Sequence, residues 1–209
     1  MKCTSAIRQM AYGAVPDALD EYLQMGATTA RDSLRLFCKA IMELYGEEFL
    51  RKPTYTDMEK LYAHHEEKYG FPGMLGSIDC TDWSWENCPV AFRAQFSKGD
   101  HGPDPFILLE AIASNDLWIW HAFFGTEDHK RILYKTKHEA ARKDVERAFG
   151  VLNKKWKLIK YPARGMSRRR LSDVMYTCII LHNMIIQDNE VAISPDFFRE
   201  EHRRDDDPV

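Results

Sequence analysis

Helical and strand-like periods follow one another along this chain. Up to about Gly70, apolar residues recur at three- and four-residue spacings, as in amphipathic helices. Pro16-Asp17 opens a short segment carrying Ala18, Leu19, Tyr22 and Leu23. Thr28 or Thr29 is placed to cap a longer helix through Leu34, Phe37, Cys38, Ile41, Leu44 and Tyr45. Thr56-x-x-Glu59 has the form of a capping box for a further helix, running through Leu61 and Tyr62 to Tyr69. Gly70, Pro72 and Gly73 then break the helical period. Met74–Thr81 follows as an apolar run, predicted to be a strand buried on both faces. Turn-forming and polar residues around Trp83, Trp85, Pro89 and 98–103 predict a long irregular connection. Phe106–Ala113 and Leu117–Phe124, joined by Ser114-Asn115-Asp116, predict a β-hairpin ended by Gly125. Helical spacing returns from about Lys137, with Ala141, Val145, Ala148, Phe149, Leu152 and Trp156 on one stripe. Tyr161-Pro162 ends it. Ser167 is placed to cap a last helix through Leu171, Val174, Met175, Cys178, Leu181 and Ile185, and a polar tail follows Asn189.

Composition adds bounds. The 209 residues, 44% of them apolar, allow one ordinary domain with an attached helical piece. A formal charge of -3 favours no class of partner, so a nucleic-acid surface would have to come from local segregation. Five Cys, an odd count without zinc-like pairing, and no signal peptide suggest a reducing compartment. No apolar run is long enough to span a membrane. One segment is strongly basic: between Arg142 and Arg170 only Asp144 and Glu146 are acidic. Its Lys154, Lys155, Lys157, Arg168, Arg169 and Arg170 could lie along phosphates, although a charged helix face is commonly just solvated. The short N-terminal helices are compatible with a helix-turn-helix DNA reader, and more often such helices simply pack together.

Two carboxylates are candidates for chemistry. Asp79 sits in an otherwise apolar strand, where a carboxylate is costly without a partner or a metal; its alternative role is to end the strand by capping the next turn. Glu146 lies about 110° from the centre of its helix's apolar stripe, at 100° per residue. From there it can point along the surface the helix packs on, or pair with Arg142 four residues earlier. His121, inside the second hairpin run, reads as a core histidine.

Four stretches together resemble the PIF/Harbinger transposases and the nucleases derived from them. They are Gly76-Ser77-Ile78-Asp79-Cys80-Thr81, the Ser114–Gly125 hairpin partner, Val145-Glu146-Arg147-Ala148-Phe149-Gly150-Val151-Leu152 and Leu181-His182-Asn183-Met184. The likeness runs from about Cys3 to Asp188. It implies an RNase H-like DDE endonuclease domain, Mg²⁺ or Mn²⁺, DNA as substrate, a Myb-like DNA-binding partner and action in the nucleus. Asp79 and Glu146 match the first and third catalytic acids, which would hold a metal pair for in-line attack at a phosphodiester.

The departures are equally specific. The family's second acid belongs to an Asp-Gly-x-Tyr-Pro type motif on a fourth strand, and this chain has no Asp-Gly dipeptide. After Gly125 it passes through Thr126–Ile132 and almost at once reaches the Glu146 helix. Asp82 stands where many relatives have His, and Asp116, Glu127, Asp128 and Asp144 are the acids near enough in sequence to substitute. The expectation is an α+β fold: residues 1–72 helical, 73–189 a truncated RNase H-like domain with a short mixed sheet, and 190–209 a polar tail. Catalysis is expected to be impaired, with DNA binding or partner binding remaining. Loss of the fourth strand would leave Met74–Thr81 as an exposed sheet edge, open to self-association.

Overall fold

The structure is a computed structural model, in which residues 1–97, 104–125, 143–165 and 167–189 are described. Its N-terminal part is helical: α1 (Lys2–Tyr12), a 3-10 turn (Pro16–Leu19), α2 (Asp20–Leu23), α3 (Ala27–Phe49) and α4 (Tyr55–Tyr69). The caps differ from those expected. Gly26, without a side-chain cap, precedes α3, so Thr28 and Thr29 lie inside the helix. In α4 the capping box is Thr54 with Asp57, two residues ahead of Thr56 and Glu59. Asp57 is favoured there because Arg51 also binds its carboxylate, holding it well below the usual carboxylate range.

The sheet contains β1 (Ser77–Ser84), β2 (Phe106–Ala113) and β3 (Ile119–Gly125), in the order β1-β2-β3. Both pairings are antiparallel, where a mixed sheet was expected. The hairpin forms as predicted, with a register shift between Ile112 and Ala113. The first strand starts three residues later than Met74 and runs on to Ser84, taking in Trp83. Gly76 shows why it can start there. A Cβ at that position would collide with the Ala113 carbonyl oxygen, so only glycine lets the chain approach so closely.

The stretch expected to be irregular is partly ordered. The indole N–H of Trp83 donates to the Tyr161 carbonyl (2.7 Å) and that of Trp85 to the Gly165 carbonyl (2.6 Å). The Ala163 N–H donates to the Ser84 carbonyl at 2.7 Å, and α5 (Val90–Phe96) follows. These hydrogen bonds join residues some eighty positions apart, which no local pattern shows.

The C-terminal part holds α6 (Lys143–Lys155), α7 (Lys157–Lys160) and α8 (Arg168–Asn189). The helix expected from Lys137 is described from Lys143 onward; the residues before it, and the tail after Asn189, lie outside the described residues. The stripe ending at Trp156 is broken there, where the backbone turns between α6 and α7. Val145, Ala148, Phe149 and Leu152 of α6 pack with Met175, Cys178 and Ile179 of α8 on one face of the sheet. That face shows Trp83, Ile107, Leu109, Ala111, Ala113 and Phe124.

The N-terminal helices join the same body. Thr177 Oγ1 of α8 lies 3.4 Å from the Cys38 carbonyl oxygen, and Asn183 Nδ2 donates to the Phe49 carbonyl at 2.8 Å. Advancing along α8 therefore advances along α3, and the two helices run in the same direction. No helix among the described residues is long and apolar enough to cross a membrane.

Candidate functional site

Strand alternation decides where the candidate acid of β1 lies. Asp79 is paired in register with Ala111, and Ala111 with Ala122. Directly opposed residues share a face, so Asp79 belongs to the face that α6 and α8 cover. Ser77 shares that face and is buried; its Oγ accepts a 2.9 Å hydrogen bond from the Val145 N–H in the first turn of α6. This bond satisfies one of the N–H groups a helix start leaves unpaired and fixes α6 against β1. Glu146, next to Val145, thus enters from the helix beside the strand that carries Asp79.

The two acids differ in setting. Asp79 is partly buried and engaged by neighbours, while Glu146 is exposed. Between them in the chain, Asp144 is buried and meets Arg147 at 3.5 Å. Its burial shows that the first turn of α6 faces inward at this point, which helical spacing did not reveal. Asp116, another substitute acid, caps the hairpin turn instead. It accepts from Ser114 Oγ and, at 3.2 Å, from the Trp118 N–H. Glu127, Asp128 and Arg142 lie outside the described residues. Among the described residues, no cluster of three or more His, Cys, Asp or Glu is placed to hold a metal.

The opposite face of the sheet corrects another expectation. His121 is exposed, not a core residue, with Nε2 3.7 Å from Glu110 Oε1. His121 stands opposite Ile112 in the same regular register that pairs Ala111 with Ala122, so strand alternation puts it on the face turned away from α6 and α8.

The basic candidates form two groups. Lys154 and Lys157 are exposed, and Lys155 is half-buried, its pKa lowered by that burial. Arg168, Arg169 and Arg170 are exposed at the start of α8, with Arg168 over the Phe96 ring at 5.8 Å. Arg169 and Arg170 border a depression of about 440 Å³ whose other wall is Arg35, Lys39, Met42 and Glu43 of α3. The basic stretch legible in the sequence did not include Arg35 and Lys39. Some 130 positions separate them from Arg169, and only the parallel packing of α3 on α8 brings them together.

The sequence model of a family described as plant transposon protein matches residues 47–130 and 126–192. These two stretches cover well over half of the chain. The chain belongs to the plant transposon protein family. Its family match therefore takes in α4, the whole sheet, α6, α7 and α8. The two stretches meet at 126–130, where the sequence predicted a missing segment. Comparisons with curated proteins and with solved structures found no match. Transposon origin is thus established for this chain, together with a mixed α/β fold that has, among the described residues, a three-stranded antiparallel sheet flanked by helices.

Proposed function

We propose that this plant transposon family chain descends from a Harbinger-type transposase, that its sheet is the truncated remnant of an RNase H-like DDE domain, and that it acts as a DNA-binding protein without strand cleavage. The observation that carries the reading is the Ser77–Val145 hydrogen bond. It sets the Asp79 strand against the first turn of the Glu146 helix, and two-metal phosphodiester chemistry requires carboxylates from separate elements to converge in this way. The match in two stretches meeting at 126–130 supports the loss of an internal segment between them.

The donor set does not fit a complete Mg²⁺ or Mn²⁺ pair. Mg²⁺ sites of this kind need several carboxylate oxygens, and Asp79 and Glu146 are the two acids that match the family pattern. No catalytic step is therefore assigned. DNA binding rests on the exposed cations at the start of α8 and on α3, with Lys154 and Lys157 as further phosphate-binding side chains. Nuclear action and a Myb-like partner at the N-terminal helices belong to the same reading.

Two measurements test it. Supercoiled plasmid incubated with the protein and Mn²⁺ should stay intact; nicking that vanishes in Asp79→Ala would show an active centre and overturn the assignment. Duplex binding should weaken with salt, and Arg169→Ala/Arg170→Ala should lower the slope of log K against log[salt] by about 1 for each phosphate no longer neutralised. A slope that does not change would remove these arginines from the DNA surface.

A further inference from the structure

Just past β1 the chain builds a small aromatic stack. Trp85 is fully buried, and its ring lies along that of Phe92, with centroids 6.5 Å apart and planes 17° from parallel. Phe96, also buried, stands edge-on to both rings, at 5.0 Å from Trp85 and 6.5 Å from Phe92. Offset and edge-on contacts are the arrangements aromatic rings prefer. Phe92 is the outermost ring, 44% exposed. The stack rests on a fixed base. The Trp85 indole donates to the Gly165 carbonyl at 2.6 Å and the Ala163 N–H to the Ser84 carbonyl at 2.7 Å, so an approaching group finds the Phe92 ring already positioned.

A single exposed ring is ordinary on a protein surface. Two further observations point to a ligand here. Guanidiniums stand beside the stack: Arg168 lies 5.8 Å from the Phe96 centroid, and the Arg164 carbonyl accepts from the Asn87 side chain at 2.9 Å, two residues from Trp85. Glu86 faces Arg164 at 3.0 Å, but the pair is solvent-exposed, and such pairs contribute little. Residues 87–97 carry Arg93 and no acid. Second, Val90 through Gln95 are all exposed, so Phe92 projects from an open surface rather than lining a pocket. Protein partners anchor on rings set in pockets that exclude water. An open ring edged by cations suits a flat base whose phosphates reach those cations. Paired bases keep their faces inside the duplex, so the base must be unpaired. We propose that Phe92 stacks an unpaired base of bound DNA, with Arg164 and Arg168 on the adjoining phosphates. The site rests on the DNA-binding function and specifies a single-stranded element of the ligand. It carries no sequence preference, because every base has a π-face.

Full-length protein is titrated, with fluorescence anisotropy as the readout, against a labelled duplex and against the same duplex with a short thymidine overhang. The overhang should tighten binding. Phe92→Leu keeps an apolar side chain over Trp85 but has no ring, and should lower affinity for the overhang DNA by about 5- to 150-fold, the worth of one stacked base. Phe92→Tyr should keep the gain. Duplex affinity should be equal in all three proteins. An overhang that adds nothing, a gain that survives in Phe92→Leu, or a loss shared equally by both DNAs would overturn the site and leave duplex binding to the α8 cations standing. Failure of the parent to bind either DNA would overturn the DNA-binding function, and the site with it.

Discussion

At the scale of single residues, Asn183 and His182 are the informative pair. Asn183 is fully buried; its Oδ1 accepts from the Ile119 N–H at 3.0 Å, while Nδ2 donates to the Ile119 carbonyl at 2.9 Å and to the Phe49 carbonyl at 2.8 Å. One side chain thus ties α8 to both β3 and α3. Asn183→Ala would strand several buried backbone groups, each costing about 1–3 kcal/mol. It is expected to rank among the most destabilising single changes, read as a lowered urea midpoint. His182 donates from Nε2 to the Leu117 carbonyl at 2.9 Å, leaving Nδ1 buried with no hydrogen-bond partner among the described residues. A second proton would have to sit there, and burial pushes the pKa down to about 4. Between pH 6.5 and 4 the unfolded chain therefore binds the proton more readily than the folded one, so stability falls as pH falls through that window. The expected loss is about 2 kcal/mol between pH 7 and pH 5. Denaturation curves of the parent and His182→Gln, which keeps a donor and removes the titration, should diverge by this amount. Parallel pH profiles would rule the mechanism out.

The element scale explains how the strand and the helix that carry the two candidate acids come to meet. β1 carries Asp79 only because it begins after Gly76 and lies tightly against Ala113. α6, which carries Glu146, is seated against the same face because Ser77 binds its first turn at Val145. Ser77→Ala leaves the buried Val145 N–H without its acceptor, at a cost of about 1–3 kcal/mol. The structural consequence should be local: faster hydrogen exchange at the start of α6 with α8 unaffected. Uniform loosening of both helices would show that the bond merely adds to overall stability.

For the molecule as a whole, the order β1-β2-β3 leaves β1 at one side of the described sheet. A strand at the edge of a sheet pairs readily with another chain unless something covers it. The isolated chain is expected to self-associate wherever that edge is left uncovered. Thermal melting with light scattering over a concentration series measures this. A monomeric, reversible transition above about 60 °C, at the top of the ordinary mesophile range, would refute it.

What the sequence determined by itself was local. Period and turn chemistry located the hairpin, the long helices and the Ser114–Asp116 turn, because those depend on neighbours a few positions away. The motifs around Asp79 and Glu146 pointed to transposon ancestry, and the family match agrees. Tertiary structure decided the rest. Trp83 and Trp85 read as loop residues because their partners, the Tyr161 and Gly165 carbonyls, lie far along the chain. His121 read as core because its neighbours in the run are all apolar, and only the pairing of Ala122 with Ala111 shows which face of the strand is covered. Arg35 and Lys39 stayed hidden because a basic surface shared by two helices exists only once their direction and crossing are set, and long-range packing sets both.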